Sequence, residues 1–302
     1  MPPTPKRKLP ARAAAPPAAR PRISADDCFA DLASDVKEHG KFLMLYSEAG
    51  EGKTTLAAQF PAPVFVTTAG EQGAHIYKQN GSLPQTTPII DLEPLFAHSE
   101  IPAGTGHPGW NRLIETMERF RDAQHQYQTL IIDSCSGLQD LCFQHGASLL
   151  FNGEIDGKEF TDFYRGYSKS SEAYWSGVFL PLCLQIVSKG LNVILIAHST
   201  FKTQMNPVGP DYDQFRPALM KSVFEYTKKD LHGIFFLGRE VAVSIDQKTK
   251  KKQTMGDRRF IGLSPSTYYV AKSWCTEVGL DELDCGDSAQ ATYAVLSKAL
   301  GM

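Results

Sequence analysis

The sequence predicts an α/β fold: a mostly parallel sheet with helices on both faces, followed by a β-hairpin near the C-terminus. Three observations carry that expectation. Short apolar runs alternate with helical stretches along most of the 302 residues. The runs FLMLY, PVFVTT, TLIID, NVILIAH and GIFFLG show no polar alternation, as strands buried on both faces require. Late in the chain, REVAVSID (239–246) and RRFIGLS (258–264) bracket the polar segment KTKKKQTMGD, the pattern of two hairpin strands and their turn.

In chain order, residues 26–40 read as a short polar helix or cap leading into strand FLMLYS (42–47). KTTLAAQF (53–60) has helical character and stops at Pro61. Strand PVFVTT (63–68) opens a long irregular stretch (69–107), after which GWNRLIETMERFRDA (109–123) forms a helix and TLIID (129–133) a strand. Helices near 138–150 and 171–188, strand NVILIAH (192–198), a helix near 218–231 and strand GIFFLG (233–238) complete the alternation.

Composition divides the chain at residue 25. Residues 1–25 hold Lys6, Arg7, Lys8, Arg12, Arg20 and Arg22 without an acid, +6 against a chain total of −2, which leaves −8 for residues 26–302. Rich in Pro and Ala and poor in large apolar residues, this tail is expected to be disordered, with residues 26–302 as one domain. It reads either as an arm for nucleic acid or protein centred on PKRK, or as a solvated extension; a transit peptide would need an amphipathic stripe that it lacks. The longest apolar region, 178–198, is broken by Ser188, Lys189 and Gly190, so a helix, turn and strand are expected there and no membrane span. With no signal peptide, an intracellular protein is expected. Six cysteines without CxxC pairs read as buried reduced thiols.

SEAGEGKTT (47–55) follows the first strand and opens a helix. It matches the phosphate-binding loop GxxxxGK[ST] except that Ser47 replaces the first glycine, whose task is the turn out of the strand. Gly50 and Gly52 allow close backbone approach to phosphates, Lys53 supplies charge, and Thr54 stands where its hydroxyl would reach a Mg2+ ion. The expected nucleotide-binding set is Glu48, Ala49, Gly50, Glu51, Gly52, Lys53, Thr54 and Thr55, with Thr55 toward the helix surface. Asp133 ends a buried apolar strand, the form of a carboxylate that holds the metal shell beside Thr54. ATP and Mg2+ are therefore the expected cofactors.

Hydrolysis also needs a group that activates water. Ser134 follows Asp133 where many ring ATPases carry glutamate, so the neighbouring strand end TTAGEQG is the source to consider, and it offers Glu71. Glu71 reads as that base or as an exposed loop glutamate. His198, at the end of NVILIAH, reads as a γ-phosphate sensor or as a structural histidine. The expected catalytic set is Lys53, Glu71, Asp133 and His198.

With these residues in place, the chain resembles phage-type AAA ATP-binding proteins with a RecA-like P-loop NTPase core, the group that includes phage single-strand annealing recombinases. The resemblance covers most of residues 40–285 and rests on SEAGEGKTTLAAQFPAPVFV, TLIIDSCSGLQDLC, GLNVILIAHS, NPVGPDYDQFRPAL and RRFIGLSPSTYYVAKSW. It implies phosphate and metal contacts by Gly52, Lys53, Thr54 and Asp133 and a sensor at His198. Relatives place a glutamate after the second strand in a pattern like I-D-T-E-G-G, where this chain has Ala69.

The resemblance also implies action on single-stranded DNA in recombination, replication or repair, in the cytoplasm of a bacterium or phage-infected host, by a homo-oligomer. Lys202, Tyr212, Phe215, Arg216 and Lys221 lie in the matching DNA loop, where interleaved aromatic and basic residues suit stacking and phosphate contact; an ordinary Pro-rich surface connection is the other reading. The turn lysines, Lys250 and Lys251 among them, read as a solvated hairpin tip or as further DNA contacts. Arg239, Arg258, Arg259 and Lys272 are candidates to complete a neighbouring protomer's site. The alternative function is a nucleotide-dependent switch or loader with weak hydrolysis that contacts a partner, such as a single-strand-binding or replication protein, through tail and hairpin. A small-metabolite kinase is disfavoured because no arginine-rich lid is evident.

Overall fold

The computed structural model describes residues 39–207, 209–245 and 252–302. The basic tail, almost all of segment 26–40, and turn lysines Lys248, Lys250 and Lys251 lie outside the described residues. The strands are β1 (Phe42–Ser47), β2 (Pro63–Thr67), β3 (Ile89–Asp91), β4 (Thr129–Asp133), β5 (Asn192–Gln204), β6 (Tyr212–Pro217), β7 (Gly233–Ile245), β8 (Lys252–Gly262), β9 (Lys272–Ser273) and β10 (Glu282–Asp284). The helices are α1 (Lys53–Ala57), α2 (Gly73–Gln79), α3 (Pro108–Asp122), α4 (Cys135–Leu150), α5 (Lys158–Thr161), α6 (Arg165–Ser170), α7 (Leu180–Ser188), α8 (Lys221–Asp230) and α9 (Ala289–Ala299). Between α6 and α7 the chain is π-helical over Ser171–Phe179.

The sheet runs β10-β8-β7-β1-β5-β4-β2-β3. From β7 to β3 the pairs are parallel, and β8 and β10 extend the sheet antiparallel. One strand, β5, stands between the P-loop strand β1 and the aspartate strand β4 in this mostly parallel sheet.

Side-chain alternation makes the central strands two-faced. Phe42, Met44 and Tyr46 of β1 join one core with Trp110, Leu138, Trp175, Ile186 and Val223, the face covered by α3, α4, the π-helical segment, α7 and α8. Leu43 and Leu45 join the opposite core with Leu56, Phe60, Ala74 and Leu296, under α1, α2 and α9. That is why these strands read as continuous apolar runs in the sequence.

Four local expectations are corrected. The stretch 69–107 contains α2, a short helix under the sheet, and β3, a three-residue edge strand of the sheet, both too short to show a clear pattern in the sequence. GIFFLG and REVAVSID are one strand, because β7 continues past the sheet edge into the hairpin with β8. NVILIAH likewise continues to Gln204, and the expected loop 202–221 is a strand pair, β5 with β6, followed by α8. A last helix, α9, was not anticipated; Ser288 caps it by accepting from the Ala291 N–H.

Candidate nucleotide-binding site

Parallel register assembles the site. Ser47 pairs with His198, Asp133 with Ile196 on the strand between, and Thr67 with Asp133, so the C-terminal ends of β1, β5, β4 and β2 form one row. In open α/β sheets, ligands bind along this edge.

The P-loop leaves β1 at Ser47, which is fully buried and takes an ordinary φ. Its hydroxyl donates to the Glu48 carbonyl (2.9 Å) and accepts from Lys53 Nζ (3.1 Å). Serine therefore does something glycine cannot: it supplies an acceptor for the lysine. Lys53 Nζ also donates to the carbonyls of Ser47 (3.1 Å) and Glu48 (2.8 Å). Burial holds the Lys53 pKa below its usual value, opposed by the charges of Asp133, Glu71 and Glu51. Gly50 (φ 86°) and Gly52 (φ 87°) adopt the left-handed conformation the loop requires. Thr55 Oγ1 donates to the Gly52 carbonyl (2.8 Å), binding α1 to the loop.

Thr54 Oγ1 donates to Asp133 Oδ2 at 2.7 Å. Asp133 is 3% exposed, and burial pushes its carboxyl up to about 6, opposed first by the Thr54 hydrogen bond. A hydroxyl and a carboxylate are the hard oxygen donors that Mg2+ takes, so the pair fits such an ion shared with phosphates. Among the described residues no group of three His, Cys, Asp or Glu is placed to hold a metal by itself.

Glu71 reaches the row through a turn. Its N–H donates to the Thr68 carbonyl (3.1 Å), and Gly70 takes φ 91° inside that turn. Thr68 is tied to β4: its N–H donates to the Asp133 carbonyl (2.8 Å) and its hydroxyl accepts from the Ser134 N–H (3.2 Å). Gly137 lies so close to Thr68 that a Cβ there would overlap the hydroxyl. The turn leaves Ala69 exposed and brings Glu71, two residues on, to His198, with Oε1 and Nε2 2.7 Å apart. The His198 hydrogen bond lowers the Glu71 pKa most, and the Glu71 hydrogen bond likewise raises that of His198, so each partner favours the charged form of the other. Neither Thr68 nor Ser136, whose hydroxyl accepts from the His198 N–H (3.2 Å), was singled out in the sequence. A small polar residue just past each strand end is the signal that could have found them.

Arg239 and Arg259 are directly opposite in the β7–β8 hairpin, and both engage the chain's own P-loop at Glu51. Arg258 is ion-paired to Asp284, Glu282 and Glu240 (2.6, 2.9 and 3.4 Å). Lys272 lies on β9 opposite Ile234, early in β7 and remote from the row of strand ends; it donates to the Lys228 and Lys229 carbonyls and stacks over Trp274.

Lys202, Arg216 and Lys221, with Thr200, Gln204 and Glu225, line a cavity of about 340 Å³ between the β5–β6 pair and α8. Tyr212 is at the far end of the pair, opposite Gln204. Phe215 is not presented for stacking with a base: it packs against Phe201 (4.0 Å) and Phe236 (5.0 Å) as part of the core margin. Beside Thr55 a second cavity, about 260 Å³, is lined by Gln59, Tyr77, Ser82 and Ser288, whereas on the Gly52 side there is room for only about 50 Å³.

A glycine loop with a buried lysine, whose threonine donates to a strand-end aspartate at the edge of a mostly parallel sheet, defines a P-loop nucleotide-binding site. The chain belongs to the AAA_24 family of AAA domains, which matches residues 39–275, and is accordingly an AAA-type nucleotide-binding ATPase domain. No curated protein matches it. Among solved structures, the flagellar accessory protein FlaH from Methanocaldococcus jannaschii is similar at 12% identity and a TM-score of 0.36, over 80% of this chain and 84% of FlaH. Among the described residues no helix is long and apolar enough to cross a membrane.

Proposed function

We propose that the protein is a Mg2+-dependent ATPase that acts on single-stranded DNA, in recombination, replication or repair of the phage type, as a homo-oligomer. The observation that carries the ATPase reading is the convergence of Lys53, Thr54–Asp133 and Glu71–His198 on one row of strand ends. In this reading Gly50 to Thr55 cradle the phosphates, Lys53 exchanges its loop carbonyls for phosphate oxygens, and Thr54 and Asp133 hold Mg2+. The ion supplies charge neutralisation at the phosphates. Glu71 orients and deprotonates the attacking water, and His198 fixes the carboxylate. The roomier cavity beside Thr55 takes the nucleoside, with Tyr77 as an aromatic wall.

The DNA reading is supported by the groove of Lys202, Arg216 and Lys221, which carries three cations against one acid, Glu225. Arg216 is steadied over the Phe224 ring (5.5 Å), which suits it to phosphate contact. ATP turnover measured with and without single-stranded DNA tests the proposal: stimulation by DNA supports it. Tight ATP binding with negligible turnover under both conditions would instead favour a switch or loader that works through a protein partner, such as a single-strand-binding or replication protein.

A further inference from the structure

We propose that Arg259, with Arg239 beside it, is a positioning residue for the P-loop of its own chain: it anchors the outward face of the Glu51–Gly52 peptide so that the Gly52 N–H is held toward the nucleotide's phosphates. This rests on the ATP-binding reading above and assigns what sets the shape of the loop.

In a trans peptide the C=O and the following N–H point in opposite directions. A phosphate cradle works by turning backbone N–H groups inward, so its carbonyls turn outward and must find donors of their own. Here the carbonyls of Ser47 and Glu48 accept from Lys53, and that of Gly52 accepts from Thr55 and the Leu56 N–H. The Glu51 carbonyl is taken by a residue 208 positions away, Arg259, whose Nη2 donates to it at 3.0 Å. Fixing that carbonyl fixes the other end of the same peptide plane, the Gly52 N–H.

Two further observations point the same way. A Cβ added at Gly52 would lie 3.1 Å from both Arg259 Nη2 and Thr55 Oγ1, so the guanidinium is packed against the loop at the residue whose φ of 87° glycine alone adopts easily. Arg239 and Arg259 are a directly opposed cross-strand pair, and like charges so placed repel. Glu51 relieves the repulsion by giving each a partner, its carbonyl to Arg259 and its carboxylate to Arg239, with Oε1 3.5 Å from Nε. The neighbouring Arg258 is instead tied to Asp284 and Glu282. Arg259 thus serves the loop in cis, where an arginine that completes a neighbouring protomer's site would serve it in trans.

The test uses the full chain with Mg-ATP and the variants Arg259→Ala, Arg259→Lys and Arg239→Ala, reading nucleotide Kd, KM, kcat and melting temperature. Arg259→Ala is expected to raise Kd and KM about ten-fold, the scale of one charge-assisted hydrogen bond, with kcat at saturation within about three-fold of the parent. Arg259→Lys, which keeps one donor, is expected to recover most of the affinity, and Arg239→Ala to give a smaller loss. Mixing Arg259→Ala with Lys53→Ala protomers is expected to leave KM at the raised Arg259→Ala value, since each loop is positioned within its own chain. The proposal is overturned if Arg259→Ala keeps the parental Kd and KM while kcat falls, or if the mixture regains the parental KM. Should Arg259→Ala not fold, unchanged affinity in both Arg259→Lys and Arg239→Ala overturns it equally. A folded parent chain that binds no Mg-ATP overturns the nucleotide reading itself, a result distinct from all of these.

Discussion

Replacing Glu71 by Gln separates binding from turnover, because the amide keeps the shape of the side chain and removes only its charge and basicity. Glu71 and His198 are 24% and 43% exposed, so their contact is screened by solvent and contributes no more than about 1 kcal/mol to stability. Against a typical reserve of about 5–15 kcal/mol, that loss leaves essentially all of the chain folded. Removing a general base costs about a hundred- to ten-thousand-fold in rate, equivalent to roughly 3–5 kcal/mol, which no change in the folded fraction could mimic. The assay is phosphate release at saturating Mg-ATP, paired with nucleotide binding and a thermal melt. The expected outcome is a kcat loss of that size, with affinity within a few-fold and the melt nearly unchanged. Parental turnover by a Glu71→Gln chain that binds ATP normally would refute the assignment and return Glu71 to the status of a loop glutamate.

Three further outcomes are expected. Reversing two charges in the groove, Lys202→Glu with Arg216→Glu, should weaken single-stranded DNA binding and flatten its salt dependence by about 0.7 for each phosphate no longer neutralised, leaving ATP affinity unchanged. Thr227→Val should destabilise the fold by about 1–3 kcal/mol in a denaturant titration, because the buried Trp175 Nε1–H donates to Thr227 Oγ1 at 2.8 Å and would lose its acceptor. Burial lowers the pKa of His145 to about 4, helped by the nearby His107; His145 Nδ1 accepts from the His107 N–H (3.0 Å), and the ring faces Tyr174 and Trp110. The unfolded chain therefore binds the extra proton first, so stability is full above about pH 6.5, falls as pH drops toward 4, and loses up to about 3 kcal/mol, a slope that His145→Gln should reduce.

What the sequence revealed and what it concealed have separate physical causes. Buried parallel strands advertise themselves as apolar runs, and Gly50, Gly52, Lys53, Thr54 and Asp133 occupy the spacing that phosphate and metal chemistry imposes, so the sheet and its loop were legible. The extent of β5 and β7 was not: beyond His198 the sequence of β5 turns polar and its side chains are exposed, and in β7 the passage from GIFFLG to REVAVSID at Gly238 reads as a break between two strands. Phe215 illustrates a second limit. An aromatic residue between basic residues reads as a stacking platform, yet pairing of Phe215 with Phe201 turns it onto Phe236. The geometry at Glu71 was hidden because it depends on the turn at Gly70, which moves the carboxylate by two residues. That Arg239 and Arg259 meet Glu51 of their own chain was hidden as well, because strand register, the feature that aims them there, leaves no mark in composition.

His198 tests whether the groove and the catalytic row communicate. On one face of a strand alternate residues line up, so His198, Thr200, Lys202 and Gln204 share a face of β5, and at about 3.3 Å per residue Lys202 is about 13 Å beyond the histidine. The first of these holds Glu71, and the other three line the groove. Under the proposed function, DNA in the groove and water at Glu71 bear on one continuous strand, so stimulation needs no separate moving domain. His198→Ala should then leave single-stranded DNA affinity near the parental value, since the side chain lies outside the groove. Stimulation of turnover by DNA should be lost, because the link from β5 to the carboxylate is the Nε2 contact at 2.7 Å. The comparison to make is the ratio of turnover with and without DNA in the variant, independent of its basal rate. A ratio equal to the parent's would show that the groove acts on hydrolysis by another route, and a loss of DNA binding itself would place His198 in the DNA contact rather than in its coupling.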